Sequence, residues 1–112
     1  MNAHGTSTSR GDRTEVECLK AVFGNHLDHL PISSTKSQIG HTLGAAAAIE
    51  AALSIEAMQR QILLPTVNHL PDPAFVGIDF VPNRPRKAAY ELILSNAFGF
   101  GGTNCCVVFR GI

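Results

Sequence analysis

The order of predicted elements indicates an α/β domain whose helices cover a sheet. A helix is predicted at 12–23, a strand at 30–33, a long helix at 42–60 and two closing strands at 90–95 and 104–109. Alternating helices and strands of this kind are typical of helices packed against a sheet. At 112 residues the chain has room for a single domain with one compact core.

The composition excludes several classes of protein. Hydrophobic residues make up 45% and charged residues 16%, which is typical of a globular chain. Nine basic and nine acidic residues cancel, which argues against a nucleic-acid binder. No apolar run approaches the roughly 20 residues that span a bilayer, and the first residues do not resemble a signal peptide. Three cysteines without a C-x-x-C motif predict free, buried thiols in a reducing compartment, the cytoplasm.

The first helix follows a polar, hydroxyl-rich loop. Val16, Leu19 and Phe23 fall on one face of this helix, and Gly24 is a suitable stop at its end. The polar loop at 2–8 begins abruptly. We therefore expect a strand upstream of it and interpret the chain as a piece of a longer one.

The long helix is apolar on all sides. Between residues 43 and 53 its only strongly polar residue is Glu50, so we expect the helix to be buried on most sides. A carboxylate in such a helix needs a partner or an ion. The proline-containing segments at 63–73 and 82–87 are predicted to be exposed connections.

Two histidines, His4 and His41, lie in glycine-flanked polar loops at predicted junctions of strand and helix. Ligands of open α/β sheets bind at the carboxyl ends of strands. Two neutral imidazoles converging there would polarise one carbonyl and stabilise an enolate or an oxyanion. A purely structural role for both is the alternative. The other three histidines are predicted to be solvated surface residues: His26, His29 and His69.

Two further features leave alternatives open. Lys36 is either an orienting group paired with a carboxylate such as Glu15, or a surface cation. The glycine-rich loop at 99–102 is not followed by a helix, which argues against a phosphate cradle. It is either a plain hairpin turn or a loop that exposes a backbone N–H to a substrate oxygen. None of the cysteines lies in a glycine elbow, so a thiolate nucleophile would have to come from outside this chain.

Three motifs carry a family resemblance. They are N-A-H-G-T-S-T at 2–8, S-S-T-K-S with G-H-T-L-G-A-A at 33–46, and S-N-A-F-G-F-G-G-T-N at 95–104. Their order and spacing closely resemble the C-terminal part of β-ketoacyl-acyl-carrier-protein synthases, and most of all the type II synthases of bacterial fatty-acid synthesis. The resemblance implies an α/β, thiolase-like C-terminal half-domain, in which helices pack on a mixed sheet, and which belongs to an αβαβα layered fold in the intact enzymes. It implies that residues 1–112 are a fragment lacking the N-terminal half.

The resemblance also implies a Cys-His-His mechanism. A cysteine of the absent half carries an acyl group, and His4 and His41 match the histidines that hold the thioester carbonyl of malonyl-carrier protein. Decarboxylation then leaves an enolate that attacks the acyl thioester. Lys36 matches a lysine that sets the local electrostatics, and Glu15 matches its acidic partner. Phe100 matches an oxyanion-hole donor through its N–H and the gate of the acyl pocket through its ring.

The remaining site positions follow from the same resemblance. Thr6 and Thr8 match residues that bind the pantetheine arm, and the substrate-binding loop would include Phe98, Gly99 and Gly101. In some relatives a structural monovalent cation is held by residues that match Asn2, Glu50, Ser95 and Asn96. No other cofactor is implied, since phosphopantetheine arrives on the carrier protein.

The resemblance also implies partners: acyl-carrier protein, the protein's own N-terminal half and a second copy in a full-length homodimer, with no nucleic acid and no membrane. The competing interpretation is a non-catalytic half-domain that pairs with a partner chain or binds acyl-carrier protein, because an open sheet edge invites strand addition.

Overall fold

A computed structural model describes residues 1–111. Three α-helices and four strands are present in the described chain. The helices are α1 (Ser9–Phe23), α2 (Lys36–Ile39) and α3 (Ala46–Gln59). The strands are β1 (Ile62–Leu63), β2 (Arg86–Lys87), β3 (Leu92–Phe98) and β4 (Asn104–Arg110). Short 3-10 turns occur at Gly24–His29, Leu43–Ala45, Pro73–Phe75 and Phe100–Gly102.

The chain start forms the middle of a mixed sheet. Asn2 makes parallel bridges to Ser33 on one side and to Ser95 of β3 on the other. β4 continues the sheet, antiparallel to β3, with Asn96 opposite Cys106. The sequence predicted a loop at residue 2 and a longer strand at 30–33, of which only Ser33 is bridged. A mixed sheet with helices beside it is nevertheless the predicted architecture.

α1 begins three residues before its predicted start because Thr8 caps it. The hydroxyl of Thr8 accepts a hydrogen bond from the N–H of Gly11 at 3.2 Å, which satisfies one of the free donors of the first turn. The helix ends at Phe23, and Gly24 follows with φ of 52°, as the sequence predicted. Its buried residues are Glu15, Val16 and Leu19.

α3 is the predicted long helix, but its predicted burial on most sides is wrong. One face alone is buried, and it consists of Ala46, Glu50, Ser54, Ala57 and Met58. The opposite side is exposed and includes Ile49 and Ile55. When apolar residues occur all round a helix, the sequence does not show which face packs against the sheet. The described residues bury only one face of α3.

Two elements were missed by sequence analysis, α2 and the β1–β2 ribbon. The ribbon pairs Ile62 with Lys87 and Leu63 with Arg86, so the proline-rich segments lie between two paired strands.

The prediction of buried cysteines is also wrong: Cys18, Cys105 and Cys106 are all exposed. Among the described residues, no helix has the length and apolar character needed to cross a membrane.

Candidate active site

The fold brings the two predicted site histidines together. His4 follows the central strand segment, and His41 follows α2 and the left-handed Gly40. Their ring centroids are 5.7 Å apart and the ring planes stand at 87°. The ring of Phe98, at the end of β3, lies 5.1 Å from that of His4. The sequence therefore identified two residues that are neighbours in space although 37 positions separate them.

Both imidazoles are held by backbone N–H groups in the same tautomer. The N–H of Phe98 donates to Nδ1 of His4 at 3.2 Å, and the N–H of Leu43 donates to Nδ1 of His41 at 3.2 Å. A ring nitrogen that accepts a hydrogen bond carries no proton, so in the neutral imidazole Nε2 carries it. Each histidine therefore presents an Nε2–H donor.

The surroundings of His4 favour its neutral form. Burial lowers the pKa of His4, and the positive charge of Lys36 lowers it further. Glu15 and Glu50 act in the opposite direction and His41 in the same direction, and the net result is a pKa below the usual 6.5. His4 is therefore a neutral hydrogen-bond donor at pH 7.

Glu15 holds the backbone of the His4 loop. Its two carboxylate oxygens accept from the N–H groups of His4 and Gly5, each at 2.9 Å, and Oε1 also accepts from Nδ2 of Asn96 at 3.1 Å. Gly5 has φ of 38°, and a Cβ there would lie 2.7 Å from Cβ of Ser34. The loop is thus fixed by one buried carboxylate and by a position that accepts only glycine.

The predicted partner of Lys36 is wrong. Lys36 Nζ donates to Oε1 of Glu50 on α3 rather than to Glu15, and the two side chains are only 5% and 1% exposed. This ion pair supplies the partner that the buried carboxylate of α3 requires. Sequence analysis did not predict this pair, because it missed the helix α2, which sets the direction of the lysine.

Three of the four implied cation ligands lie together. Nδ2 of Asn2 is 2.9 Å from Oγ of Ser95 and 3.4 Å from Oε2 of Glu50, whereas Asn96 donates to Glu15 instead. Carboxylate, hydroxyl and amide oxygens are suitable donors for a hard cation. Glu50 and Ser95 therefore fit such an ion in donor type, whereas Asn2 turns its amide nitrogen toward them and Asn96 does not join them. Within residues 1–111 no group of three His, Cys, Asp or Glu side chains is placed to hold a metal ion.

The glycine-rich loop is the hairpin turn between β3 and β4. The N–H of Gly99 donates to the carbonyl of Thr103 at 2.7 Å, and a Cβ at Gly99 would lie 3.0 Å from that oxygen. Gly101 and Gly102 have φ of 77° and 84°. The turn leaves Phe100 95% exposed. The plain hairpin is thus observed, and the oxyanion role of Phe100 stays a prediction.

A cleft of about 610 Å³ opens beside His41, within the usual range for a ligand pocket. Its walls include Thr6 and Lys36. They also include the segment 66–70, which sequence analysis did not identify. The hydroxyls of Thr6 and Thr8 are 3.4 Å apart. Thr8 caps α1. Its contact with the substrate stays a prediction.

Comparisons with known proteins establish the family. The model of the beta-ketoacyl synthase C-terminal domain matches residues 1–69. The chain is 44% identical over 112 residues to 3-oxoacyl-[acyl-carrier-protein] synthase 2 of Coxiella burnetii, covering 100% of this chain and 27% of the relative. It is 42% identical over 113 residues to nodulation protein E of Rhizobium meliloti, covering 100% of this chain and 28% of that protein. The chain belongs to the beta-ketoacyl synthase family and spans about a quarter of the length of these curated relatives.

Solved structures agree with this assignment. A beta-ketoacyl synthase from Burkholderia phymatum STM815 matches with a TM-score of 0.90 and 45% identity, over 99% of this chain and 27% of that one. A ketosynthase in complex with its type II polyketide-synthase acyl-carrier protein matches with a TM-score of 0.93 and 35% identity, over the same shares. The predicted thiolase-like fold class is confirmed.

Proposed function

We propose that this chain is the C-terminal part of a 3-oxoacyl-[acyl-carrier-protein] synthase. The reaction is the decarboxylative Claisen condensation of malonyl-carrier protein with an enzyme-bound acyl thioester, in fatty-acid or polyketide elongation. The observation that carries the proposal is the pair of Nε2–H donors on His4 and His41, each fixed by a backbone N–H at Nδ1. The family membership and the names of the relatives support the substrate class.

In this mechanism both histidines donate to the carbonyl oxygen of the malonyl thioester. The bond between the carboxylate carbon and the α-carbon breaks, CO2 leaves, and the electron pair forms an enolate whose oxygen the two donors stabilise. The enolate carbon then bonds to the acyl carbonyl carbon, and the cysteine sulfur leaves as a thiolate. The neutral form of His4 suits this step because it stabilises the oxyanion without having to transfer a proton.

Neighbouring residues support the two donors. Glu15 positions the backbone of His4, and the charge of Lys36 favours the neutral form of that histidine. The N–H of Phe100 would donate to the acyl oxyanion, and Thr6, at the cleft wall, would contact the pantetheine arm. A monovalent cation, if bound by Glu50 and Ser95, would add structural support and take no part in bond making.

We propose that the 112-residue chain alone is inactive. Its cysteines lie on α1 and β4, exposed and outside the pair of histidine loops. The nucleophile would then come from a part of the protein that corresponds to the remaining three quarters of the relatives. That part, the carrier protein and a second full-length copy are the proposed partners, with the cytoplasm as the proposed location.

A hybrid enzyme tests this function. The chain replaces the matching segment of the Coxiella burnetii synthase, and release of CO2 from malonyl-carrier protein is measured. We expect activity in the hybrid, and a loss of about 100- to 1,000-fold on His4→Ala or His41→Ala, as for removal of other oxyanion donors. His26→Ala, on an exposed turn, is the matched control. Normal decarboxylation without either histidine would refute the assigned roles.

The second candidate is a non-catalytic half-domain. The exposed apolar side of α3 and the exposed strand β4 favour it, because such surfaces are suited to cover by another chain. The 112-residue chain is mixed with the cysteine-bearing remainder of the Coxiella enzyme, and complex formation and CO2 release are followed together. A complex without activity supports the binding module, whereas activity only in the mixture supports the condensing enzyme.

A further inference from the structure

α2 cannot be stable by itself. It has four residues, far fewer than an isolated helix needs in water, so contacts with other segments must hold it. Its first residue is Lys36, and His41 follows its end after Gly40, whose N–H donates to the carbonyl of Lys36 at 2.9 Å. Whatever holds α2 therefore also sets the place where the His41 loop begins.

Three hydrogen bonds join α2 and the residues before it to the segment 65–67. The N–H of Ser34 donates to Oγ1 of Thr66 at 3.2 Å, and the N–H of Val67 donates to Oγ of Ser37 at 2.9 Å. The side-chain amide of Gln38 donates to the carbonyl of Pro65 at 3.1 Å. We call these six residues the α2 brace.

Two hydroxyls are central to the brace. The Ser37 hydroxyl donates to the carbonyl of Ser34 at 2.7 Å while accepting from Val67, so it uses both kinds of hydrogen bond. Thr66 is itself anchored, because its N–H donates to the carbonyl of Val81 at 3.0 Å and its carbonyl accepts from Asn83 at 2.9 Å. The brace thus ties α2 to a paired part of the fold.

The start of α2 is also held by the buried pair of Lys36 and Glu50. Just before it, the hydroxyl of Ser34 donates to the carbonyl of Gly5 at 2.8 Å, and that of Thr35 donates to Oδ1 of Asn2 at 3.4 Å. The brace adds the contacts of Ser37 and Gln38, further along the helix. Release of the brace would therefore leave α2 held at its start alone and let its far end carry the His41 loop away from His4.

We propose that Thr66 and Ser37 are positioning residues of the condensing site, which hold α2 so that His41 faces His4. This proposal rests on the proposed function. Neither hydroxyl is assigned a contact with the reacting atoms, so both residues would act through α2. A displacement of about 1 Å at a reacting group can lower a rate by up to about 100-fold. The two residues act on one helix, so their effects are expected to be less than multiplicative.

The test uses the hybrid enzyme with Thr66→Val, Ser37→Ala and both together. We expect each single change to lower kcat for decarboxylation about 10- to 100-fold, with KM for malonyl-carrier protein within about twofold. Thr66→Ser, which keeps the acceptor oxygen, should restore kcat. Thr14→Val, on the exposed side of α1, is the matched control. Wild-type kcat in both single variants, or no rescue by Thr66→Ser, would overturn the proposal.

A second readout separates this proposal from the proposed function. Nuclear Overhauser contacts between the ring protons of His4 and His41, whose centroids are 5.7 Å apart, report their proximity whether or not the hybrid is active. We expect Thr66→Val to weaken these contacts and Thr14→Val to leave them unchanged. An inactive parent hybrid would refute the condensing function alone, whereas unchanged contacts between the two rings in Thr66→Val would refute the brace. If Thr66→Val does not fold, Ser37→Ala gives the same two readouts.

Discussion

Lys36 and Glu50 form an ion pair that is almost completely withdrawn from water, between the four-residue helix α2 and the long helix α3. Neither residue has this partner in the sequence-based interpretation. Because burial removes the hydration of both charges, the pair stabilises the fold only while both members are present. It also places a positive charge near His4, which links the packing of two helices to the protonation of the site.

Loss of one member of this pair should be strongly destabilising. Glu50→Gln leaves the ammonium of Lys36 buried without its counter-charge, and we expect a loss of about 3–5 kcal/mol in the free energy of unfolding. Urea denaturation of the chain measures it. Glu56→Gln is the matched control, since its pair with Arg60 is exposed and should contribute below about 1 kcal/mol. Equal effects of the two changes would contradict the assigned burial.

Glu15→Gln should loosen the His4 loop. The substitution replaces one of the two oxygens that accept from the N–H groups of His4 and Gly5 by an amide donor. An orphaned N–H that is shielded from water costs about 1–3 kcal/mol, so we expect a fall of that size in stability. Glu17→Gln, on the exposed side of the same helix, should change little. Thermal unfolding of the two variants, side by side, decides the point.

The stability of the fold should depend on pH through His4. The pKa of His4 in the folded protein lies below the unfolded value of about 6.5. At pH values between these two pKa values, the unfolded state therefore binds more protons than the folded state. The contribution of His4 to stability is therefore complete above pH 6.5 and is lost as the pH falls through the lower, folded pKa. Titration of the imidazole C–H signals by NMR measures the value directly.

Lys36→Met combined with Glu50→Gln should raise the pKa of His4. The two changes together leave no buried charge without its partner. Lys36 lowers this pKa more than Glu50 raises it, so their joint removal favours the imidazolium. The acid limb of the decarboxylation profile in the hybrid should move to higher pH with it. An unchanged or lower pKa in the NMR titration would show that Lys36 does not act on His4 through its charge.

Two glycines with positive φ give a matched pair of substitutions. Gly24→Ala meets no atom within 4 Å, so only the backbone conformation, with φ of 52° and ψ of −131°, opposes the change, at about 1–3 kcal/mol. Gly5→Ala adds a collision with Ser34 to the same backbone strain, and overpacking typically costs about 1–3 kcal/mol more. We expect Gly5→Ala to lower the melting temperature further. A lower melting temperature for Gly24→Ala than for Gly5→Ala would mean that Ser34 moves aside without an energetic cost.

Local sequence signals predicted much of this fold and the central residues of the site. The apolar face around Val16 and Leu19 and the stop at Gly24 indicated α1, and branched residues indicated β3 and β4. The glycine-flanked loops indicated His4 and His41. These features depend on periodicity, capping and backbone freedom among residues close in the chain. They can therefore be predicted without knowledge of long-range contacts.

The tertiary structure decided which groups meet. The tautomer of His4, the partner of Lys36 and the exposed side of α3 all depend on contacts between residues far apart in the chain. α2 and the two-residue strands β1 and β2 are too short to form through local preference, so packing and hydrogen bonds from distant segments must hold them. The sequence by itself determined the residues available for the chemistry. Burial and long-range pairing determined their protonation and their direction.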